Sequence, residues 1–263
     1  MLWDETVPRH EVLLLLTHIT GKTRAEILTN ANPSMPDDQY RAFLNALERR
    51  RNGEPLQYII GEWDFYGLAF KTDKRALIPR PETECLTEAV IKETVNKPFS
   101  RILDVCTGGG CIAVTLAVLT DAQVTAVDIC PDALSLANEN AALHGVGDRI
   151  RFIRSDLAEG LHSGQSFDIV VSNPPYILTG ELAELQTEVR DYEPRRALDG
   201  GADGMDLYRR LLPQAYRLLK PGGVLFMEIG PAEVKKITAE AGFSGIRLYK
   251  DNAGLDRYIR AVK

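Results

Sequence analysis

The residues best suited to chemistry stand together at Asn173-Pro174-Pro175-Tyr176, directly after Ser172. The apolar run Phe167 to Val171 before them ends on a β-branched pair and predicts a buried parallel strand. The segment then sits where a strand leaves the sheet, and open α/β sheets bind ligands at the carboxyl ends of their strands. Two consecutive prolines remove two backbone N–H groups and fix two φ angles, so the loop is stiff and its carbonyls are spared from a regular ladder. A side-chain amide, free carbonyls and a phenol ring on such a loop suit a planar amide or amine. The oxygens accept from an NH2 group while the ring covers its face. An ordinary Asn-Pro turn is the alternative for this stretch alone.

A second constellation precedes it. Leu103-Asp104-Val105-Cys106-Thr107-Gly108-Gly109-Gly110 predicts a strand entering a glycine-rich turn and then a helix. The next predicted strand ends on Asp128, where an acid accepts from ribose hydroxyls in nucleotide-binding sheets. Asp156 follows the third strand and is placed to accept from the exocyclic amine of adenine. Two cofactors compete for this pattern. Gly108, Gly110 and Ala113 fit the dinucleotide fingerprint G-x-G-x-x-A, with an acid about 20 residues on. S-adenosylmethionine has no pyrophosphate and presents a sulfonium and an amino group instead, which suits an acid just before the glycine turn, and Asp104 is there. Asp104, Asp128, Asp156 and Asn173 each lie at or just past a predicted strand end, which favours methyl transfer over hydride transfer.

These residues need a scaffold. From Arg101 the chain alternates between strand and helix patterns, which predicts a doubly wound parallel α/β sheet with helices on both faces. The expected strands are Ile102–Val105, Val124–Val127, Ile150–Ile153, Phe167–Val171 and Val224–Ile229. The expected helices are Cys111–Leu119, Pro131–His144, Asp206–Leu219 and one near Ala232–Ala241, with Lys220-Pro221-Gly222-Gly223 ending the third. Ile246–Tyr249 and Arg257–Val262 are expected to close the sheet as an antiparallel edge pair. Residues 1–60 predict a small helical bundle (substrate recognition or packing), with helices over 11–19, from a Thr23–Glu26 capping box, and over 37–51. On the last, Tyr40, Phe43, Leu44 and Leu47 are expected to share one face, and Arg49-Arg50-Arg51 a solvated helix end. The aromatic stretch 61–75, with Gly67 at its centre, predicts a β-hairpin linker, and 76–263 the catalytic domain. Ile78-Pro79-Arg80-Pro81-Glu82-Thr83-Glu84 predicts a proline-pinned loop that opens a helix and gathers one cation and two carboxylates.

Composition narrows the function classes. The 263 residues are 44% apolar and 26% charged, with net charge −6, which argues against a broad phosphate-binding surface and hence against direct nucleic-acid binding. The apolar stretch Val12–Leu16 is too short to span a membrane and lacks a cleavage signal. Four cysteines without C-x-x-C spacing and four scattered histidines predict reduced thiols, no metal site and a cytoplasmic protein.

Taken together, the motifs resemble the class I S-adenosylmethionine-dependent methyltransferases, and more narrowly the HemK/PrmC family, the N5-glutamine methyltransferases of peptide-chain release factors. The resemblance runs through Pro55–Ile59, Gly61–Gly67, Ile78–Glu84, the glycine turn, Asn173–Tyr176, Tyr192-Glu193-Pro194 and Gly200–Gly204. It implies a Rossmann-like, seven-stranded sheet. It also implies that Cys106, Thr107, Gly108, Gly109 and Gly110 line the methionine and ribose part of the cofactor, with Asp104 at their base, and that Asn173 contacts the cofactor as well as the substrate. Asp128 would bind the ribose, and Asp156 with Leu157 would flank the adenine. Asn173, Pro174, Pro175 and Tyr176 would hold the substrate glutamine, with Arg80 and Glu82 beside it. Catalysis would rest on Asn173, Pro174 and Tyr176, and S-adenosyl-L-homocysteine would be the product. The implied partner is a release factor carrying a Gly-Gly-Gln loop. A ribosomal-protein glutamine, adenine in nucleic acid, and a non-enzymatic cofactor-binding module are the alternatives. Three departures stand out: Cys106 replaces a glycine of the family loop, Gly109 replaces its serine and so removes a hydroxyl contact, and Leu157 occupies a frequent aromatic position.

Overall fold

Four helices, a β-hairpin and a fifth helix precede the sheet that carries the candidate site. The computed structural model describes residues 6–29, 35–95, 100–162, 166–230, 233–251 and 253–263. Four helices come first: α1 (Arg9–Thr20), α2 (Arg24–Thr29), α3 (Asp37–Arg51) and α4 (Leu56–Ile60). A hairpin follows, β1 (Glu62–Phe65) and β2 (Leu68–Lys71), and then helix α5 (Pro81–Thr94). The alternating part comprises β3 (Arg101–Val105), α6 (Cys111–Leu119), β4 (Gln123–Asp128), α7 (Pro131–Leu143), β5 (Ile150–Arg154) and β6 (Phe167–Ser172). After a short helix α8 (Thr187–Arg190) come α9 (Asp206–Leu218), β7 (Leu219–Glu228), α10 (Val234–Glu240), β8 (Ser244–Lys250) and β9 (Asp256–Val262). The expected start of α10 at Ala232, and the parts of the N-terminal bundle over 1–5 and 30–34, lie outside the described residues.

The seven strands are ordered β5-β4-β3-β6-β7-β9-β8, with β5 to β7 parallel and β9 antiparallel to both neighbours. The final pair is antiparallel as expected, but β9 inserts beside β7 and only β8 forms the edge. Period-2 side chains bury both faces of the sheet. On β6, Phe167 and Val170 join one core with α9, while Ile169 and Val171 join the other with α5 and α6. The same alternation sends Leu103 and Val105 of β3 to the α9 side. Asp104, between them, therefore faces the α6 side. Winding starts at β3, runs out through β4 to β5, and resumes on the opposite flank of β3 at β6. That reversal makes the crevice beyond Val105 and Ser172 the topological switch point.

Three local expectations need correction. Lys220-Pro221-Gly222-Gly223 is not a turn before the strand but part of β7, accommodated by a register shift against β6 between Phe167 and Ile169. On α3 the buried stripe is Phe43, Ala46 and Leu47; Tyr40 and Leu44 lie on its exposed shoulder, since consecutive helical residues diverge by 100°. Arg50 is not solvated: its guanidinium pairs with Glu11 at 2.5 and 3.0 Å and with Glu188 at 2.8 Å. The Thr23–Glu26 capping box is present, with the Thr23 N–H donating to Glu26 at 2.8 Å. Pro81 occupies the first turn of α5, and Tyr66-Gly67 turns the hairpin with positive φ at both residues, as a type I′ turn requires. Among the described residues no helix is long and apolar enough to cross a membrane.

Candidate active site

A cavity of about 770 Å³ opens at the switch point. Among the residues expected in a site, its wall holds Arg80, Cys106, Thr107, Gly108, Gly109, Asp128, Asp156, Leu157, Asn173 and Pro175. Asp104, Gly110, Pro174, Tyr176 and Glu82 stand outside that wall. For Asp104 and Gly110 the cause is local. Asp104 is fully buried on the α6 side, where its Oδ2 accepts the Thr107 hydroxyl at 2.6 Å and its Oδ1 has no hydrogen-bond partner among the described residues. Burial pushes its pKa up to about 7, against the pull of the Thr107 hydroxyl. Gly110 caps α6 with φ 83°, and a Cβ there would stand 2.9 Å from that of Ala137, so it lets α6 approach α7. Thr83, the neighbour of Glu82, lines the cavity instead.

Asp128 holds the glycine turn. Its Oδ2 accepts the Gly108 N–H and its Oδ1 the Cys130 N–H, each at 2.9 Å. Burial raises its pKa, and those two N–H groups hold it back. Each oxygen keeps a lone pair for a hydroxyl donor. The Gly110 N–H is also engaged, on the Thr107 carbonyl at 2.9 Å. A pyrophosphate needs such N–H groups free. Here the Gly108 and Gly110 N–H groups are spent inside the protein, while the wall carries both carboxylates, Asp128 and Asp156, and arginines, Arg80, Arg196 and Arg210. Asp156 pairs with Arg210 at 2.7 Å. Cys106 and Leu157 are two of the non-glycine residues with positive φ, 61° and 48°. Cys106 adopts the left-handed conformation at the position where the family loop has glycine, at a cost of roughly 1–2 kcal/mol.

Asn173 occupies the far side of the crevice. Ser172 donates to the Val105 carbonyl at 2.7 Å and locks the two strand ends together. The Asn173 Nδ2 donates to Thr83 Oγ1 at 3.1 Å, while its Oδ1 accepts no hydrogen bond from the described residues. Tyr176 packs against the α9-side core and places its hydroxyl 3.3 Å from Glu228. Arg80 is clamped by Glu193, whose other oxygen accepts the Ile78 N–H at 3.3 Å. Sequence reasoning missed Thr83 and Glu228. The available signal was a carboxylate closing the otherwise apolar run Val224–Met227.

Comparisons with known proteins agree on the family. A PrmC N-terminal domain model matches residues 4–61, and a methyltransferase domain model matches residues 96–243. A release factor glutamine methyltransferase of Chlorobaculum tepidum is 42% identical over 95% of this chain and 88% of its own length. Those of Deinococcus radiodurans and Clostridium acetobutylicum are 41% and 38% identical, over 97% and 95% of this chain and 91% and 90% of theirs. Among solved structures, a Pyrococcus furiosus methyltransferase superposes with TM-score 0.56 at 18% identity, covering 87% of this chain and 99% of that one. A T. thermophilus 16S rRNA methyltransferase in complex with AdoMet and guanosine gives TM-score 0.58 at 19% identity, over 77% and 49%. At those identities the structures speak for the fold alone.

Proposed function

We infer the chemistry of this chain from its family, for it belongs to the release factor glutamine methyltransferases. It is an S-adenosylmethionine-dependent enzyme that methylates the side-chain amide nitrogen of a release factor glutamine. We further propose that this glutamine is that of the Gly-Gly-Gln loop, whose small residues let its backbone enter a narrow crevice. S-adenosylmethionine would supply the electrophilic methyl group and S-adenosyl-L-homocysteine would be the by-product, with one of the two amide hydrogens released as a proton. Asp128 would hold the ribose, Leu157 and Asp156 the adenine, and Cys106 to Gly109 the methionine portion.

The observation that carries the substrate reading is Asn173, whose NH2 is tied to Thr83 and whose oxygen is left free beside the cavity. An amide nitrogen is a weak nucleophile because its lone pair is delocalised, and no group near neutral pH simply removes its proton. The chain's contribution is orientation and charge. Asn173 Oδ1 and the Pro174 carbonyl would accept the two amide hydrogens and favour positive charge as it develops on nitrogen. They would reject a carboxylate, which has no hydrogens to give. Tyr176 would close the back of this pocket with its ring. Arg80, fixed by Glu193, would donate a hydrogen bond to a substrate oxygen at the mouth.

Residues 1–60 would recognise the remainder of the release factor, with the hairpin over 61–75 linking them to the catalytic domain over 76–263. In support, the helices have a core of their own, built on Val12, Leu16, Phe43 and Leu47. They are tied to the catalytic part through Arg50–Glu188 and through the Tyr192 hydroxyl, which donates to the Asn52 carbonyl at 2.8 Å. Such a protein would act in the cytoplasm, without direct nucleic-acid contact.

Incubation with S-adenosylmethionine and a release factor, followed by tandem mass spectrometry, should locate one methyl group on the Gly-Gly-Gln glutamine. A methyl group elsewhere, with that glutamine untouched, would refute the assignment. Replacing Asp128 by alanine removes a ribose acceptor and strands the Gly108 and Cys130 N–H groups. Cofactor affinity in a calorimetric titration should fall about 10–100-fold, the scale of losing charged hydrogen bonds. Unchanged affinity would remove Asp128 from the cofactor site.

A further inference from the structure

The carboxylate of Glu228 ends β7 and is 2% exposed. Its Oε2 lies 2.7 Å from Thr83 Oγ1, and its Oε1 lies 3.3 Å from the Tyr176 hydroxyl. Thr83, also 2% exposed, stands in the first turn of α5, and its oxygen lies 3.1 Å from Asn173 Nδ2. Three segments far apart in sequence therefore meet on one buried carboxylate.

Hydrogen-bond polarity does the rest. In its ionised form the Glu228 carboxylate only accepts, and both hydroxyls then donate to it. A threonine hydroxyl has one hydrogen, and Thr83 spends it there. Toward Asn173 the Thr83 oxygen has only lone pairs to offer, so the group it meets must be the NH2 end of the amide. The carbonyl end is then turned away from Thr83. The amide orientation of Asn173 is thus set by a carboxylate it never touches. Burial raises the pKa of Glu228, and the Thr83 hydroxyl, the Arg257 charge and the Tyr176 hydroxyl oppose that rise.

We propose that Glu228, acting through Thr83, is a positioning residue that fixes Asn173 with its oxygen toward the substrate, and that this relay sets the preference for a glutamine amide over a carboxylate. The inference rests on the reading of Asn173 as the acceptor for the substrate amide. With the relay broken, the Asn173 amide can rotate and present its NH2 group, which a carboxylate welcomes and an amide NH2 does not.

Four variants and two readouts test this. Thr83→Val keeps the volume but removes the hydroxyl, Thr83→Ser keeps the hydroxyl, and Glu228→Gln supplies an NH2 group that reverses the polarity. Asn173→Ala reports on the acceptor itself. The readouts are kcat and KM for methylation of a release factor, and the affinity of the enzyme for that factor relative to its Gln-to-Glu loop variant. Thr83→Val and Glu228→Gln should lower kcat about tenfold or more, the scale of one hydrogen bond, with cofactor affinity unchanged. Both should narrow the Gln-over-Glu discrimination, and Thr83→Ser should restore both readouts. If Thr83→Val kept the discrimination of the parent, or Thr83→Ser failed as badly as Thr83→Val, the relay would be overturned. If Asn173→Ala is inactive while Thr83→Val turns over normally, the relay alone fails. If Asn173→Ala turns over normally, the reading of Asn173 falls with it.

Discussion

Asn173→Ala should lower methyl transfer to the release factor by about a hundredfold or more, comparable to the loss of one preorganised polar contact in an active site. Its side chain lines the cavity and donates to Thr83, so alanine removes the acceptor and frees Thr83 without touching Asp128 or the glycine turn. The loss should fall on kcat, because the contact strengthens as charge develops on the amide nitrogen. Cofactor affinity should stay within a few-fold of the parent. The fold should survive, since Ser172–Val105 and the paired strands hold the loop from behind. Near-normal turnover would remove Asn173 from the chemistry. A parallel collapse of cofactor binding would mean that it serves the cofactor rather than the glutamine.

Gly200→Ala should be nearly as damaging for a different reason. A Cβ at position 200 would stand 2.6 Å from the Tyr176 Cα, 2.8 Å from its carbonyl carbon and 3.0 Å from the Gly204 Cα. All three are main-chain atoms, so no rotamer change relieves the contact. The two segments are also bound together, with the Ile177 N–H on the Leu198 carbonyl at 2.9 Å and the Gly200 N–H on the Ile177 carbonyl at 2.8 Å. The backbone after Pro175 must shift. Overpacking of this kind costs about 1–3 kcal/mol of stability. A displacement of about 1 Å at a reacting group costs on the order of a hundredfold in rate. Turnover should therefore fall far more than the modest drop in melting temperature suggests. Gly180, whose Cβ would meet nothing within 4 Å, provides the control, and its alanine variant should behave as the parent. If the two variants were equally active, the position of the Asn-Pro-Pro-Tyr segment would not limit the reaction.

The parts of the site that follow from local pattern were legible in the sequence. Val170-Val171 announced the strand that delivers Asn173, and the glycine turn announced the crevice opposite it, because both are short-range signals with one geometric consequence. Face and partnership were harder. Asp104 was expected at the cofactor, yet the alternation along β3 sends it behind the wall, and only the register of the folded sheet shows which face is which. Thr83 and Glu228 are 145 residues apart in sequence, and nothing near either one signals the other. Arg50 looked like part of a solvated basic run because its partners, Glu11 and Glu188, come from distant segments. Tyr40 and Leu44 share a helical spacing with Phe43 and Leu47, but the buried stripe is narrower than the apolar pattern suggested.

The central claim is that this crevice methylates a release factor glutamine by recognising its amide. It is tested most directly by transfer of labelled methyl from S-adenosylmethionine to three acceptors in parallel: a release factor, its Gln-to-Glu variant in the Gly-Gly-Gln loop, and adenine-containing DNA. Label on the first alone is the predicted result. Label on DNA, or equal label on the glutamine and glutamate forms, would contradict it.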